Sequence, residues 1–168
     1  NLIGLLNLLD NMNKYNIPNL IFSSSCSVYG NTSELPVTEM TPKQEAESPY
    51  GRTKQMGEDI LWDLSKTNST MNTILLRYFN PAGAHESAFI GESPANIASN
   101  LIPVITEAAA NKRPPLTIFG TDYPTRDGSC IRDYIHVMDL AHAHTLALQH
   151  LLSNKNEEKC AVFNLGIG

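Results

Sequence analysis

The apolar residues of this chain recur with helical spacing in some segments and form short continuous runs in others. Leu2, Leu5, Leu9 and Met12 recur three or four residues apart, which is typical of an amphipathic helix. Helical spacing predicts helices over residues 2–15, 50–67, 96–111 and 138–152. The short apolar runs predict strands, and they cover residues 20–25, 73–78, 116–119, 134–137 and 161–165. Pro103 lies inside the third helical segment and weakens that prediction.

Strands and helices alternate along the chain, and this order predicts an α/β fold in which helices flank a parallel sheet. Loops rich in Pro and Gly interrupt the pattern at 30–49 and 81–95. In a parallel sheet, ligands bind beside the carboxyl ends of the strands. Two predicted strands end in conspicuous polar or aromatic sets, at 23–25 and 78–80. We therefore expect a ligand site where these two strands end.

The composition argues against several classes of partner. The 168 residues include 12 Lys and Arg against 17 Asp and Glu, a formal net charge of −5. This charge disfavours a nucleic-acid or anionic-membrane binder, and no apolar run approaches the roughly 18 residues of a membrane helix. The three cysteines are scattered, which favours a reducing compartment and a cytoplasmic protein. The five histidines lack the spacing of metal ligands, so no metal site is predicted.

A tyrosine and a lysine at the start of the second predicted helix could carry chemistry. Tyr50 and Lys54 are four residues apart and therefore share one face of that helix. A free phenol has a pKa of about 10, and a nearby ammonium lowers that pKa by favouring the phenolate. Such a phenol can take a proton from a sugar hydroxyl. Ser25, at the end of the first strand, could donate a hydrogen bond to the same substrate oxygen.

This combination of a strand-end Ser, a long loop and Pro-Tyr-x-x-x-Lys resembles the short-chain dehydrogenase/reductase superfamily. Six segments narrow the resemblance: 22–30, 49–54, 76–85, 90–94, 119–125 and 127–141. They are similar to the extended branch and, within it, to the family of UDP-glucose 4-epimerases, over essentially the whole chain. The resemblance implies that residues 1–80 form the second half of a Rossmann-like doubly wound parallel sheet. Residues 81–168 would be mainly UDP-sugar-binding segments of a smaller C-terminal domain, with a returning Rossmann strand and helix.

The resemblance also implies roles for individual residues. Tyr50 would be the catalytic base, Lys54 would lower its pKa, and Ser25 would complete the catalytic set. The cofactor would be NAD, bound by Ser23, Ser25, Tyr50, Lys54 and Phe79. The UDP-sugar would contact Ser25, Tyr50, Asn80, Ser99, Asn100, Thr117, Ile118, Phe119 and Arg132. Ser99 stands where the family has Asn, and Arg132 would face the diphosphate, since a guanidinium pairs with phosphate through two donors.

The implied reaction interconverts UDP-glucose and UDP-galactose. The base removes the proton from the hydroxyl on carbon 4 while hydride leaves that carbon for NAD, the 4-keto sugar rotates, and hydride returns to the opposite face. NAD is regenerated in each cycle and acts as a bound cofactor. The family forms homodimers through the helices that correspond to residues 2–15 and 50–67. Apolar residues are therefore expected on more than one face of both helices.

Some features depart from the family pattern. No Gly-x-Gly-x-x-Gly or Gly-x-x-Gly-x-x-Gly turn is present, so the half that would hold the NAD pyrophosphate is not expected in this chain. Both ends of the chain lie inside apolar patterns, which suggests a segment of a longer protein. We expect the 168 residues alone to be inactive.

Several other functions remain open at this point. A sugar-nucleotide 4,6-dehydratase would carry an acidic residue directly after the strand-end Ser or Thr, where this chain has Cys26 and Ser27. That difference disfavours a dehydratase, whereas a pentose 4-epimerase or a nucleotide-sugar decarboxylase stays possible. A non-catalytic interaction module is the alternative from another class. The absorbance or fluorescence of NAD in the purified protein would discriminate between an enzyme and such a module.

Overall fold

The computed structural model describes residues 1–67, 70–153 and 158–168. Within those ranges the α-helices are α1 (Leu2–Lys14), α2 (Pro49–Lys66), α3 (Leu101–Ala109) and α4 (Val137–Leu152). The strands are β1 (Asn19–Ser25), β2 (Asn72–Tyr78), β3 (Asn80–Ala82), β4 (Tyr134–His136) and β5 (Cys160–Leu165). A short 3-10 helix, Cys26–Tyr29, follows β1 directly.

Three strands form a parallel sheet in the order β1–β2–β5. Its register places Ser25 beside Tyr78 and Tyr78 beside Leu165, so the carboxyl ends of the three strands lie in one row. β3 and β4 form a separate parallel pair in which Asn80 lies beside Tyr134. Since β3 begins two residues after β2 ends, this second pair starts at the same edge of the larger sheet.

Apolar side chains cover both faces of the three-stranded sheet. On one face, α1 and α2 bury Leu5, Leu9 and Leu61 against Leu75 of β2. On the other face, α4 packs against β2, and the buried residues there are Ile74, Leu76, Ala147 and Leu151. The alternation of side chains along β2 supplies both clusters, as expected for a strand buried on both sides. The predicted α/β fold with a parallel, Rossmann-like sheet is therefore confirmed.

Most of the predicted elements occur within one or two residues of their expected bounds, and three details differ. The predicted strand at 116–119 is wrong: the segment is irregular and exposed, and it has no neighbouring strand among the described residues to pair with. The helix predicted over 96–111 is shorter, since α3 starts only after Asn100, whose backbone is extended. β3 lies where a loop was expected, because Pro81 is tolerated in a strand with a single neighbour.

Two negative findings apply to the described part of the chain. None of its helices combines the length and the apolar character that crossing a bilayer requires. In the same residues, no three His, Cys, Asp or Glu side chains cluster as the ligands of a metal ion would.

Candidate active site

Ser25 is the last residue of β1 and lies buried at the carboxyl end of the sheet. Its backbone is extended, and its hydroxyl oxygen caps the 3-10 helix that follows. The Ser25 Oγ accepts hydrogen bonds from the backbone N–H of Ser27 at 3.2 Å and from the Ser27 hydroxyl at 3.0 Å. Because both bonds are accepted, Ser27 leaves the proton of the Ser25 hydroxyl for another acceptor, either the neighbouring phenol or a ligand.

Local sequence determines where α2 begins and hence where Tyr50 lies. Ser48 caps the helix by accepting a hydrogen bond from the backbone N–H of Gly51 at 3.1 Å, and Pro49 occupies the first turn. A Cβ at position 51 would lie 3.1 Å from the carbonyl oxygen of Ser27. Glycine therefore allows the first turn of α2 to approach the 3-10 helix closely. This approach brings Tyr50 close enough to Ser25 for the Ser25 hydroxyl to favour the phenolate.

Lys54 lies one turn further along α2 and reaches back to the sheet. Its ammonium donates a hydrogen bond of 2.7 Å to the carbonyl oxygen of Ser23. The Lys54 Nζ lies 5.4 Å from the centre of the Tyr50 ring and 5.2 Å from the centre of the Phe22 ring. Partial burial lowers the pKa of Lys54. The structure thus brings together Ser23, Ser25, Tyr50 and Lys54 at one end of β1.

The acidity of the Tyr50 phenol differs from the sequence-based prediction. Burial raises the pKa of Tyr50 above its ordinary value, Tyr78 and Cys26 act in the same direction, and the Ser25 hydroxyl opposes them. Folding therefore raises the phenol pKa overall, whereas a lowered pKa was expected, and the lowering by Lys54 in the NAD-bound protein stays a prediction. Burial of the phenol outweighs an ammonium that is itself half-buried and bonded to a carbonyl.

Phe79 and Asn80 continue the row of strand ends. The backbone N–H of Phe79 donates to the carbonyl oxygen of Leu165 at 3.2 Å, which holds the partly buried ring at the edge of the sheet. Asn80 donates twice to the carbonyl oxygen of Asp133, from its backbone N–H at 3.1 Å and from its side-chain Nδ2 at 2.7 Å. The side-chain nitrogen of Asn80 therefore joins β3 to the segment before β4. Its side-chain oxygen accepts no hydrogen bond from the described residues.

The remaining predicted substrate residues lie on exposed segments. Ser99 and Asn100 precede α3, and the Asn100 Nδ2 donates to Glu92 at 2.6 Å. Arg132 is exposed and donates to the carbonyl oxygen of its neighbour Ile131 at 3.1 Å. The other three predicted contacts lie in an exposed loop and are Thr117, Ile118 and Phe119. In the described residues, no hydrogen bond or ion pair joins any of these six side chains to the Ser25–Tyr50–Lys54 group. Burial raises the pKa of Cys26 beside this group, and the charge of Arg132 offsets only part of that rise.

Sequence reasoning missed a buried ion pair beneath the site. Arg77 of β2 pairs with Glu58 of α2 through its Nε, at 2.8 Å from Oε1, and its Nη2, at 2.6 Å from Oε2. Burial by itself would lower the pKa of Arg77, but the hydrogen bonds and charge of Glu58 outweigh it and raise that pKa. The signal available in the sequence was the position of Glu58, four residues after Lys54 and on the same helix face.

A parallel sheet of this topology, with a Ser at one strand end and a Tyr and a Lys at the start of the following helix, defines a protein of the short-chain dehydrogenase/reductase class. The chain belongs to the NAD dependent epimerase/dehydratase family, whose family model matches residues 1–166. It is 50% identical over 168 residues to "UDP-glucose 4-epimerase 2" of Arabidopsis thaliana. It is 49% identical over the same length to the "Bifunctional UDP-glucose 4-epimerase and UDP-xylose 4-epimerase 1" of Pisum sativum.

A solved structure of an epimerase has the same fold as this chain. The UDP-glucose 4-epimerase of Stenotrophomonas maltophila, with bound NAD and formylated UDP-arabinopyranose, superimposes with a TM-score of 0.92 and 47% identity. The match covers 100% of this chain and 49% of that chain. Both sequence relatives are likewise covered to 47% of their length by the whole of this chain. The chain thus spans about half the length of the relatives it matches.

Proposed function

We propose that the whole protein interconverts UDP-glucose and UDP-galactose by NAD-dependent oxidation and reduction at carbon 4 of the sugar. The observation that carries this proposal is the convergence of Ser25, Tyr50 and Lys54 at the carboxyl end of β1. The hydroxyl, phenol and ammonium groups there are the acid, base and charge that proton exchange with a sugar hydroxyl needs. The relatives named as UDP-glucose 4-epimerases support the choice of substrate.

The residues at the strand ends fit a bound NAD. Lys54 is half-buried with its ammonium at the Ser23 carbonyl, a position from which it can donate to ribose hydroxyls. Ser23 and Phe79 would border the nicotinamide. When bound, NAD supplies the hydride acceptor and donor and a positive charge that favours the phenolate of a nearby tyrosine.

Tyr50 and Ser25 would handle the proton at the substrate. Tyr50 is partly exposed, so its phenol oxygen is accessible to a ligand, and it takes the proton of the hydroxyl on carbon 4. The Ser25 hydroxyl donates a hydrogen bond to the same oxygen, which orients it towards the phenol. Tyr50 returns the proton when the sugar has been reduced again, so the protein ends each cycle in its starting protonation state.

Residues of the second half of the chain would anchor the nucleotide. The guanidinium of Arg132 is exposed, and among the residues that the structure describes it makes one hydrogen bond, to a backbone carbonyl, so its remaining donors are available for the diphosphate. We assign the rest of the UDP-sugar contacts to Asn80, Ser99, Asn100, Thr117, Ile118 and Phe119. In this division, residues 1–80 belong to the NAD-binding domain and residues 81–168 mainly to the substrate-binding segments.

The test is the variant Tyr50→Phe in the whole protein. Removal of a general base is worth about 10²–10⁴ in rate, so turnover of UDP-galactose should fall by that factor while UDP binding is retained. Tyr15→Phe, an exposed tyrosine at the end of α1, is the matched control and should keep normal turnover. A Tyr50→Phe enzyme with near-normal turnover would sink the proposal.

A pentose 4-epimerase is the second candidate, because the Pisum sativum relative is named for both UDP-glucose and UDP-xylose. The same Tyr50 chemistry at carbon 4 serves a hexose and a pentose equally well. Measuring kcat/KM with UDP-galactose and with UDP-xylose on one preparation discriminates between them. A preference for UDP-xylose would replace the proposed substrate and leave the roles of Ser25, Tyr50 and Lys54 unchanged.

We further propose a homodimer that forms through α1 and α2. α1 buries one set of apolar side chains and leaves others on its surface, with Ile3 77% and Leu6 51% exposed. On α2, Met56 is 36% exposed. A second copy of the chain would cover these apolar side chains. Leu6→Glu should convert the dimer to a monomer in sedimentation experiments, whereas Met40→Glu, in the loop before α2, should not. A Leu6→Glu protein that is still dimeric would exclude this interface.

The proposed location is the cytoplasm. Cys26, Cys130 and Cys160 are all free thiols, which suits a reducing compartment. A fluorescent fusion of the whole protein that localises to the secretory pathway would exclude this assignment.

A further inference from the structure

A row of three polar side chains crosses the sheet directly beneath the proposed catalytic group. Ser24 of β1 lies beside Arg77 of β2, and Arg77 lies beside Asn164 of β5, each one residue before the strand ends. Side chains alternate along a strand, so these three point to the face that α2 covers, opposite to Ser25. Apart from the buried Thr73, the rest of that face is apolar. We call Ser24, Arg77 and Asn164 the polar row.

Glu58 connects the polar row to α2. It follows Tyr50 by eight residues and Lys54 by four, so the three side chains lie along one line of the helix. Its carboxylate is 0% exposed and accepts hydrogen bonds from Arg77, at 2.8 and 2.6 Å, and from the Ser24 hydroxyl at 2.5 Å. One buried carboxylate of α2 is therefore bonded to the two strands that end at the site.

Tyr29 extends the same network to the other side of Ser25. Its hydroxyl accepts from the Arg77 Nη1 at 3.0 Å and donates to the Asn164 Oδ1 at 2.6 Å. Tyr29 ends the 3-10 helix that Ser25 caps, and it is 2% exposed. The network thus holds the backbone on both sides of Ser25, through Ser24 before it and Tyr29 after it.

The energetic character of this network indicates what it does. A buried ion pair loses its hydration, and this cost offsets most of the attraction, so apolar residues of similar volume give equal or greater stability. Apolar packing is not directional and leaves the axial position of a helix on a sheet loosely specified. Hydrogen bonds of 2.5–3.0 Å to a buried carboxylate and guanidinium specify that position to a fraction of an ångström.

We propose that Glu58, Arg77 and Ser24 are positioning residues that set the axial position of α2 relative to β1. They thereby fix the distances from Tyr50 and Lys54 to Ser25, while touching neither the substrate nor the cofactor. This inference rests on the proposed function, because it concerns the same site. In this view α2 is a rigid helix, and Glu58 fixes the positions of Tyr50 and Lys54 relative to Ser25.

The test separates positioning from stability in the whole protein. Glu58→Leu combined with Arg77→Met replaces the ion pair by apolar side chains of similar volume, so the folded state should be retained. A displacement of about 1 Å at a catalytic group can cost about 10² in rate. We therefore expect kcat for UDP-galactose to fall about 10²-fold, with the affinity for UDP within about twofold of the wild type. Asp63→Asn, an exposed acid on the same helix, is the matched control and should keep the wild-type kcat.

Two further measurements cover the other outcomes. Should the double variant fail to fold, Glu58→Gln keeps the shape of the side chain, and we expect it to lower kcat in the same way. The pH profile of kcat should also move to higher pH in either variant, because a displaced Lys54 favours the Tyr50 phenolate less, and a purely structural role would leave this profile in place. A folded variant with the wild-type kcat and pH profile would overturn the proposal.

A wild-type protein without epimerase activity would instead contradict the proposed function. The Tyr50 pKa, measured by NMR in wild type and variant, would then test the positioning alone.

Discussion

At the scale of single residues, the environment of Cys160 predicts an unreactive thiol. Burial, followed by the charges of Glu58 and Glu158, raises its pKa to about 12. The folded state therefore keeps a proton that the unfolded chain releases near pH 9, and the free energy of unfolding falls as the pH rises from about 9 to about 12. We expect alkylation of Cys160 in the native protein to keep accelerating with pH beyond about pH 9, as measured by mass spectrometry of the labelled peptide. A rate that levels off near pH 9 would show that the thiol is not buried.

A second residue-scale prediction concerns Arg132. Hydrogen bonds to charged groups contribute about 1.5–3 kcal/mol, so Arg132→Ala in the whole protein should weaken UDP binding by roughly 10- to 100-fold. Calorimetric titration with UDP measures this directly. Arg126→Ala removes an exposed arginine six residues away and should leave the affinity unchanged. An Arg132→Ala protein that binds UDP as well as the wild type would exclude the contact with the diphosphate.

At the scale of the element, the start of α2 depends on one cap. Ser48 satisfies the backbone N–H of Gly51 at 3.1 Å, so Ser48→Ala should reduce the free energy of unfolding by about 1 kcal/mol. Ser48→Asp should restore it, since a carboxylate caps equally well and suits the positive end of the helix dipole. Thermal or urea denaturation of the three proteins provides the comparison. Equal stability of Ser48→Ala and wild type would show that another group caps the helix.

At the scale of the whole molecule, the chain spans about half the length of the relatives it matches. In the described residues, β1 pairs with β2 along one side, and its other side is an edge of the sheet. The glycine-rich turn that binds a dinucleotide pyrophosphate at a helix N-terminus is absent from the sequence. We therefore expect residues 1–168, expressed alone, to retain no NAD and to show no epimerase activity. Nucleotide release after denaturation measures the first, and circular dichroism shows whether the polypeptide is folded.

The whole protein is the control for that experiment and should carry bound NAD and convert UDP-galactose. Stoichiometric NAD in residues 1–168 would mean that this half holds the pyrophosphate by other groups. An exposed sheet edge also favours association, so the isolated half should elute as larger species in size-exclusion chromatography.

The sequence alone was sufficient for the features that depend on neighbours along the chain. Helical spacing predicted α1, α2 and α4, and the alternation of elements predicted the parallel sheet. The separation of four residues placed Tyr50 and Lys54 on one face of α2, because an α-helix repeats every 3.6 residues. The carboxyl ends of parallel strands meet at one edge, which was enough to expect Ser25 near the Tyr78–Asn80 segment.

Only the tertiary structure decided the contacts between residues far apart in the chain. Arg77 meets Glu58 across 19 positions, and Tyr29 meets Asn164 across 135, because strand order and register bring their strands and helices together. The direction of the Tyr50 pKa shift was also decided there, since it depends on how far folding buries the phenol. Local spacing contains no information about burial or about which strands become neighbours, and the polar row beneath the site depends on both.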